Sequence, residues 1–167
     1  MAPAASVRII WTSSGIVDTN APKGGIDLAD LSSPPTCKSL NYCNSKTGNW
    51  FLASRFATRL KEDGIVSLIL NPGNLSTTIW ENAPKVVQVI FSAVNHPPKC
   101  GAYTNIWAGL SPEVKLEDGG RYAIPWGRWH SRPREDILDA LKTREDGGAG
   151  QADEFWEWCK DQTKGCA

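Results

Sequence analysis

The sequence predicts an α/β domain built on a parallel sheet, and three stretches carry that prediction. Val7-Arg8-Ile9-Ile10-Trp11-Thr12 and Ile65-Val66-Ser67-Leu68-Ile69-Leu70 are short, rich in β-branched residues and apolar on both faces, as strands covered by helices on each side must be. Between them, from about Asn41 to Lys61, Trp50, Ala53, Ala57 and Leu60 recur at helical spacing. At 167 residues, 41% hydrophobic and 22% charged, the chain has the composition of one globular domain with a core of its own.

Taken in order, the first strand runs straight into Ser13-Ser14-Gly15. In open α/β sheets ligands bind at the carboxyl ends of the strands, so a hydroxyl there is placed either to hold a carbonyl oxygen or to cap the backbone of a turn. Ile16 to Leu40 is rich in Gly, Pro, Ser and Asp and reads as a long loop. The helix that follows turns Arg55, Arg59 and Lys61 outward and stops at Glu62-Asp63-Gly64. After the second strand, Pro72-Gly73 makes a turn. Gly101 to Leu110 reads as a core helix, and Arg121 to Trp126 as a last strand with Pro125 at its end. Two terminal helices are predicted, Arg134 to Arg144 and Gln151 to Lys164. Phe155, Trp156 and Trp158 mark the second for docking onto the domain or a partner.

Tyr42 and Lys46 open the long helix four residues apart, so they share one face, one turn apart. An ammonium beside a phenol favours phenolate and brings the pair toward the range of general acid/base work on a carbonyl oxygen. The same spacing also suits two solvated side chains on an amphipathic helix.

Composition excludes several functions. Lys+Arg and Asp+Glu both number 18, so no net field favours nucleic acid or an anionic membrane. Five cysteines, Cys37, Cys43, Cys100, Cys159 and Cys166, and two histidines, His96 and His130, lack disulfide-framework or metal-site spacing. No run approaches membrane-spanning length and no secretory apolar core opens the chain, which predicts a cytoplasmic protein in which the sequon Asn74-Leu75-Ser76 is idle. Of eight tryptophans, Trp80, Trp107, Trp126 and Trp129 fall either to packing or to a substrate pocket.

A strand ending in Ser14, a helix opening on Tyr42-Cys43-Asn44-Ser45-Lys46 and a strand ending in Pro72-Gly73-Asn74-Leu75-Ser76-Thr77 resemble, in that order, the short-chain dehydrogenase/reductase family. Pro97-Pro98-Lys99-Cys100-Gly101-Ala102-Tyr103 and Gly119-Gly120-Arg121-Tyr122 are similar to its retinol-dehydrogenase-like branch and fungal relatives. The resemblance implies the C-terminal half of a Rossmann-like doubly wound sheet, about three strands with flanking helices, as one partial domain over residues 1–167. It implies Ser14, Tyr42 and Lys46 as catalytic residues and Tyr42, Lys46, Pro72, Gly73, Leu75 and Thr77 as binding NAD(P). Residues Trp80 to Val94, with Val86, Val87, Val89, Ile90, Phe91 and Val94 mostly burying apolar surface, then supply a mobile substrate-binding segment and helix.

The family's T-G-x-x-x-G-x-G turn, its cofactor selector and its N-N-A-G stretch have no counterpart in this sequence. Gly147-Gly148-Ala149-Gly150 follows charged residues rather than a strand. The resemblance therefore reads as truncated, with cofactor binding weakened at the pyrophosphate and one edge of the first strand exposed. An exposed apolar edge predicts a homo-oligomer or pairing with another chain. The leading expectation is alcohol/carbonyl interconversion on a small hydrophobic substrate, such as a secondary-metabolite intermediate. Two others stand beside it: a cofactor-independent isomerase, dehydratase or cyclase using Tyr42, and a non-catalytic partner of a full-length relative.

Overall fold

In the computed structural model, residues 3–76, 85 and 94–165 are described. Strand β1 (Val7–Thr12) and strand β2 (Ile65–Leu70) fall at the predicted bounds and pair in parallel over their whole length, Val7 opposite Ile65 through Thr12 opposite Leu70. Strand β3 (Tyr122–Ile124) adds parallel to β2. The sequence predicts about three strands, and a fourth, β4 (Arg128–Trp129), folds back antiparallel on β3 to give the order β1-β2-β3-β4. The hairpin turns through Trp126 and Gly127, both at positive φ (73° and 64°). A bulky residue pays steric strain there, which is why propensity does not announce this turn.

Helix α1 (Ile16–Asn20) and helix α2 (Ala29–Ser32) lie in the stretch expected to be a loop. That expectation is corrected: Val17 and Ile26 are fully buried, so the segment carries core despite its glycines and prolines. Gly24 and Gly25, at φ 76° and 93°, bring it against the next helix, where a Cβ on Gly25 would stand 2.5 Å from Thr47 Cγ2. Helix α3 (Lys38–Arg59) starts three residues earlier than its apolar spacing predicts. Pro34 and Pro35 bar helix before it, and Asn41 donates to the Pro35 carbonyl. Its end lies two residues early, followed by Gly64 at φ 73°.

Helix α4 (Pro98–Leu110), a 3-10 turn (Leu116–Asp118), helix α5 (Glu135–Leu141) and helix α6 (Gln151–Gln162) complete the described elements; α4 starts three residues before its predicted Gly101, and α5 and α6 are shorter than predicted. The sheet has a core on both faces. Val66, Leu68 and Leu70 of β2 join Ala108 of α4, Val114 and Ala123 on one side. Ile69 joins Trp50, Phe51 and Ala53 of α3, Ile137 of α5 and Phe155 of α6 on the other. Period-two alternation within a strand apolar throughout feeds both faces, as a sheet sandwiched by helices requires. Helix α6 docks on α3 through Phe51 against Phe155 and Phe56 against Trp156.

One residue of α3 departs from its predicted place. Arg55, expected outward, is 4% exposed. It donates to the Asp153 carboxylate at 2.6 Å and to the Leu141 carbonyl at 2.5 Å, joining α3 to both terminal helices. Its partners lie about ninety residues downstream, out of reach of helical periodicity.

Candidate functional site

Because β1, β2 and β3 run parallel, their carboxyl ends gather along one edge, where a ligand site is expected. There Ser13 N–H donates to the Leu70 carbonyl at 2.7 Å, and Asn71 N–H donates to the Ala123 carbonyl at 2.8 Å. These bonds lock the strand-end loops side by side. Gly15 follows Ser14 where a Cβ would stand 3.0 Å from Asn71 Nδ2, so the turn after β1 touches the turn after β2.

Helix α3 brings its first turns to this edge. Lys46 Nζ donates to the Thr12 carbonyl at 3.4 Å and Asn49 Nδ2 donates to the same oxygen at 2.9 Å. Ser13 Oγ donates to the Lys46 carbonyl at 3.0 Å. Lys46 Nζ stands 5.5 Å from the centroid of the Tyr42 ring, a cation over an aromatic face. Tyr42, Lys46 and Ser14 are all half-buried, open enough to meet a ligand. Ser14 Oγ accepts from the Ile16 N–H at 3.4 Å, and its carbonyl accepts from Tyr122 Oη at 3.1 Å. The structure thus joins Lys46 to Tyr42 and to the end of β1, while Ser14 spends its bonds on its own turn and on Tyr122.

After β2 the turn Asn71–Ser76 borders a cavity of about 200 Å³ lined by Pro72, Gly73, Leu75, His96, Cys100 and Trp126 among others. Gly73 takes φ 91° and a Cβ there would meet Pro125 Cγ at 3.0 Å, so the turn needs glycine for both conformation and space. Its N–H is held by Asn71 Oδ1 at 2.9 Å. His96 packs edge-on against Trp126, ring centroids 5.1 Å apart, and closes the far wall. Of the expected cofactor residues, Tyr42, Lys46, Pro72, Gly73 and Leu75 lie on this edge. Thr77, Trp80, Val86, Val87, Val89, Ile90 and Phe91 lie outside the described residues, and Val94, expected to be buried, is 51% exposed beside the cavity.

Pro72 and Gly73, expected to face a nicotinamide ring, both line this cavity. The cavity is smaller than the roughly 300 Å³ at which ligand pockets begin, and among the described residues neither helix at this edge, α1 or α3, starts from a glycine-rich turn that would hold a pyrophosphate. Hollows of about 480 and 520 Å³ open instead around Arg144, bordered by Asp136, Asp139, Glu154 and Glu157. That charged lining does not suit an apolar carbonyl compound.

Sequence reasoning missed two neighbours of the edge. Tyr122 is 3% exposed, packed between Trp50 (centroids 4.7 Å) and His130 (5.5 Å). Burial, reinforced by the negative charge of Asp18, drives its phenol far above the ordinary tyrosine range, so it stays a fixed donor. Asp18 on α1 faces His130 Nε2 at 3.5 Å, and burial pushes its carboxyl up against the opposing pull of His130 and Arg134. Only the place of Asp18 just after β1, and of Tyr122 at the start of the last predicted strand, could have flagged them. Of the pocket tryptophans, Trp107 and Trp129 pack on one another at 5.0 Å, while Trp126 is 49% exposed at the cavity rim. Cys37, Cys43, Cys100 and Cys159 are free thiols, and burial raises those of Cys43 and Cys159. Among the described residues no cluster of His, Cys, Asp and Glu could hold a metal, and no helix is long and apolar enough to cross a membrane.

No protein-family model matches the chain. Curated relatives do. The short-chain dehydrogenase/reductase iacJ of Pestalotiopsis fici is 44% identical over 160 residues, 95% of this chain and 48% of the relative. The short-chain dehydrogenase/reductase bet4 of Neocamarosporium betae is 37% identical over 161 residues, 95% and 46%. A short-chain dehydrogenase/reductase of Phomopsis amygdali is 38% identical over 168 residues, 97% and 50%. The chain spans about half the length of the curated relatives it matches. Among solved structures, an NADPH-bound carbonyl reductase from chicken fatty liver superposes with TM-score 0.51 at 18% identity, over 77% of this chain and 47% of that one. A protein from Mycobacterium paratuberculosis superposes at 0.55 and 22% identity, over 94% and 50%. At those identities the likeness is one of fold.

Proposed function

Because this chain belongs, over nearly its whole length, to the short-chain dehydrogenase/reductase family, we propose that its strand-end edge is the proton-transfer and nicotinamide-facing half of an oxidoreductase site for alcohol/carbonyl interconversion. The observation that carries the reading is Lys46, seated on the Thr12 carbonyl with its ammonium 5.5 Å from the Tyr42 ring. In this reading Tyr42 passes a proton to or from the substrate oxygen. Lys46 stabilises the negative charge that develops there, and Ser14 orients the carbonyl once its hydroxyl leaves the Ile16 N–H. Tyr42, Lys46, Pro72, Gly73, Leu75 and Thr77 would hold the nicotinamide-ribose end of NAD(P)(H), which supplies the hydride that no side chain can. The substrate in this proposal is a small hydrophobic carbonyl or alcohol, such as a secondary-metabolite intermediate, meeting Leu75, Val94 and Trp126 on the cavity wall.

A partner belongs to the same proposal. Among the described residues strand β1 pairs with β2 alone, and Val7 is 44% exposed on that free edge. That edge offers a row of backbone donors and acceptors to a further parallel strand, from a second copy or from a chain carrying the other half of the family fold. Sedimentation of the purified chain should show association, and a dilute, stable monomer with a protected β1 edge would count against it.

Titration with NADPH and NADH, followed by energy transfer from the tryptophans to bound nicotinamide, tests the site. Saturable binding and carbonyl reduction lost in Tyr42→Phe are expected. No binding at millimolar cofactor would overturn redox catalysis by the chain alone. A second reading, cofactor-independent proton transfer, uses the same Tyr42 phenol, and retained turnover without nicotinamide would establish it.

A further inference from the structure

A carboxylate facing an imidazole beside a reactive edge invites the reading of a catalytic dyad, yet the bonds around His130 exclude a general base. Its Nδ1 accepts the Arg132 N–H at 3.2 Å. That fixes the neutral ring as the tautomer with hydrogen on Nε2, the nitrogen that faces Asp18 Oδ2 at 3.5 Å. Both nitrogens are engaged and neither points to a substrate. What the ring does instead is pack. It lies nearly parallel to Tyr122, 24° between planes, and its backbone N–H donates to the Tyr122 carbonyl at 2.8 Å.

The consequence reaches Ser14. Tyr122, walled by Trp50 on one side and His130 on the other, aims its hydroxyl at the Ser14 carbonyl, which also accepts the Val17 N–H at 3.1 Å. Asp18 sits in the helix that this turn begins, so the Ser14 turn is gripped twice. Tyr122 holds its carbonyl, and His130 holds the carboxylate four residues on. Arg134 grips the same helix from its end, donating to the Val17, Ala21 and Pro22 carbonyls while its own charge is met by Asp136. Asp18 Oδ1 is buried with no hydrogen-bond partner among the described residues. A carboxylate kept there at a desolvation cost is not explained by stability alone.

We propose that Asp18, His130 and Tyr122 are positioning residues for Ser14, setting the height and direction of the turn from which its hydroxyl meets a substrate carbonyl. The inference rests on Ser14 as the carbonyl-orienting group. Its structural half is measurable without turnover, so the two can fail separately.

The test is NMR of the ¹⁵N-labelled full chain at pH 8. With only His96 and His130 to assign, the ring nitrogens are separable by His96→Gln, and His130 should carry its proton on Nε2. Tyr122→Phe, which removes one oxygen and keeps the packed ring, should move the Ser14 and Val17 amide signals and speed exchange of the Val17 amide at least about tenfold while the chain stays folded. Asp18→Ala should move the same amides. Asp18→Asn, which keeps an acceptor for Nε2–H, should restore most of the wild-type pattern. Where reduction is measurable, Tyr122→Phe should lower kcat with cofactor affinity unchanged. A His130 proton on Nδ1, or Ser14 and Val17 amides unmoved in both Tyr122→Phe and Asp18→Ala, overturns the proposal. Amides that move in a chain whose kcat does not change uphold the positioning and remove Ser14 from the chemistry.

Discussion

Two regions of this molecule treat their polar groups in opposite ways. At the seam where α5 meets α3, α6 and the chain at the end of α1, charge is spent on holding elements together. Arg55 bonds Asp153 and the Leu141 carbonyl, Arg134 bonds Asp136 and three carbonyls, and Arg144 reaches Glu154. At the strand-end edge capacity is left over. Asp18 Oδ1 and Asn95 Oδ1 are buried without partners among the described residues, and Tyr42 and Lys46 remain half-open, while Asn44 Oδ1 and Thr47 Oγ1, likewise without partners, face α2 and the Gly25 turn. The seam keeps one such atom, Arg55 Nε. Buried polar groups ordinarily find partners, so a cluster of underused ones marks where a ligand or a moving proton has use for them.

The contrast breaks most sharply at Tyr42. Tyr42→Phe should reduce carbonyl turnover about 100- to 10,000-fold, the usual loss for a proton donor. Stability should change by less than about 0.5 kcal/mol, because the ring is half-exposed and its hydroxyl holds no part of the fold. Activity assays paired with urea unfolding check both halves. Substantial destabilisation would place Tyr42 with the seam instead.

Arg55 should do the reverse. Arg55→Met leaves the Leu141 carbonyl without its buried donor and frees Asp153 to solvent, costing about 2–3 kcal/mol. Cofactor and substrate handling in the surviving folded fraction should be unchanged. Denaturant midpoints read the first, and the energy-transfer titration reads the second.

How far the sequence reaches follows the same division. Strands β1 and β2 were legible to the residue because a continuous apolar run needs no partner to be recognised. Tyr42 and Lys46 were legible because four residues on a helix make neighbours whatever surrounds them. Arg55 was misread because its partner Asp153 lies 98 positions away, and local spacing carries no trace of it. Asp18 and His130 meet across 112 positions for the same reason. The glycine- and proline-rich segment hid α1 and α2 because its buried apolar residues, Val17, Ala21 and Ile26, are too few and too unevenly spaced to make a period. Strand β4 is two residues long behind a tryptophan at positive φ, and pairing with β3 alone makes it a strand.

Acid should sharpen the comparison next, through Asp136 in the seam. Two hydrogen bonds from Arg134, together with the Gly24 N–H, hold its carboxyl down to about 2, from the usual 3.8. A depressed folded value means that the charged form is favoured by folding. Its stabilisation is present above the unfolded value near 3.8 and is lost as pH falls toward 2. The group is partly solvated, so the effect is on the order of 1 kcal/mol. Asp136→Asn should therefore destabilise at pH 7 and leave stability at pH 2 unchanged, read from thermal unfolding at both pH values.

Asp18 carries the opposite sign and the smallest effect. Burial raises its folded value above 3.8, so folding favours the protonated form. Its contribution is greatest below that unfolded value and is lost as pH rises through the folded one. Asp18→Asn removes the cost of a charged, half-satisfied carboxylate while keeping an acceptor for His130. At pH 7 the variant should unfold no lower than wild type, and at most a few tenths of a kcal/mol higher. Near pH 3 the two should converge. A variant clearly less stable at pH 7 would show that the Asp18 charge is spent on the fold, as Asp136 is, and would move the strand-end edge into the same class as the seam.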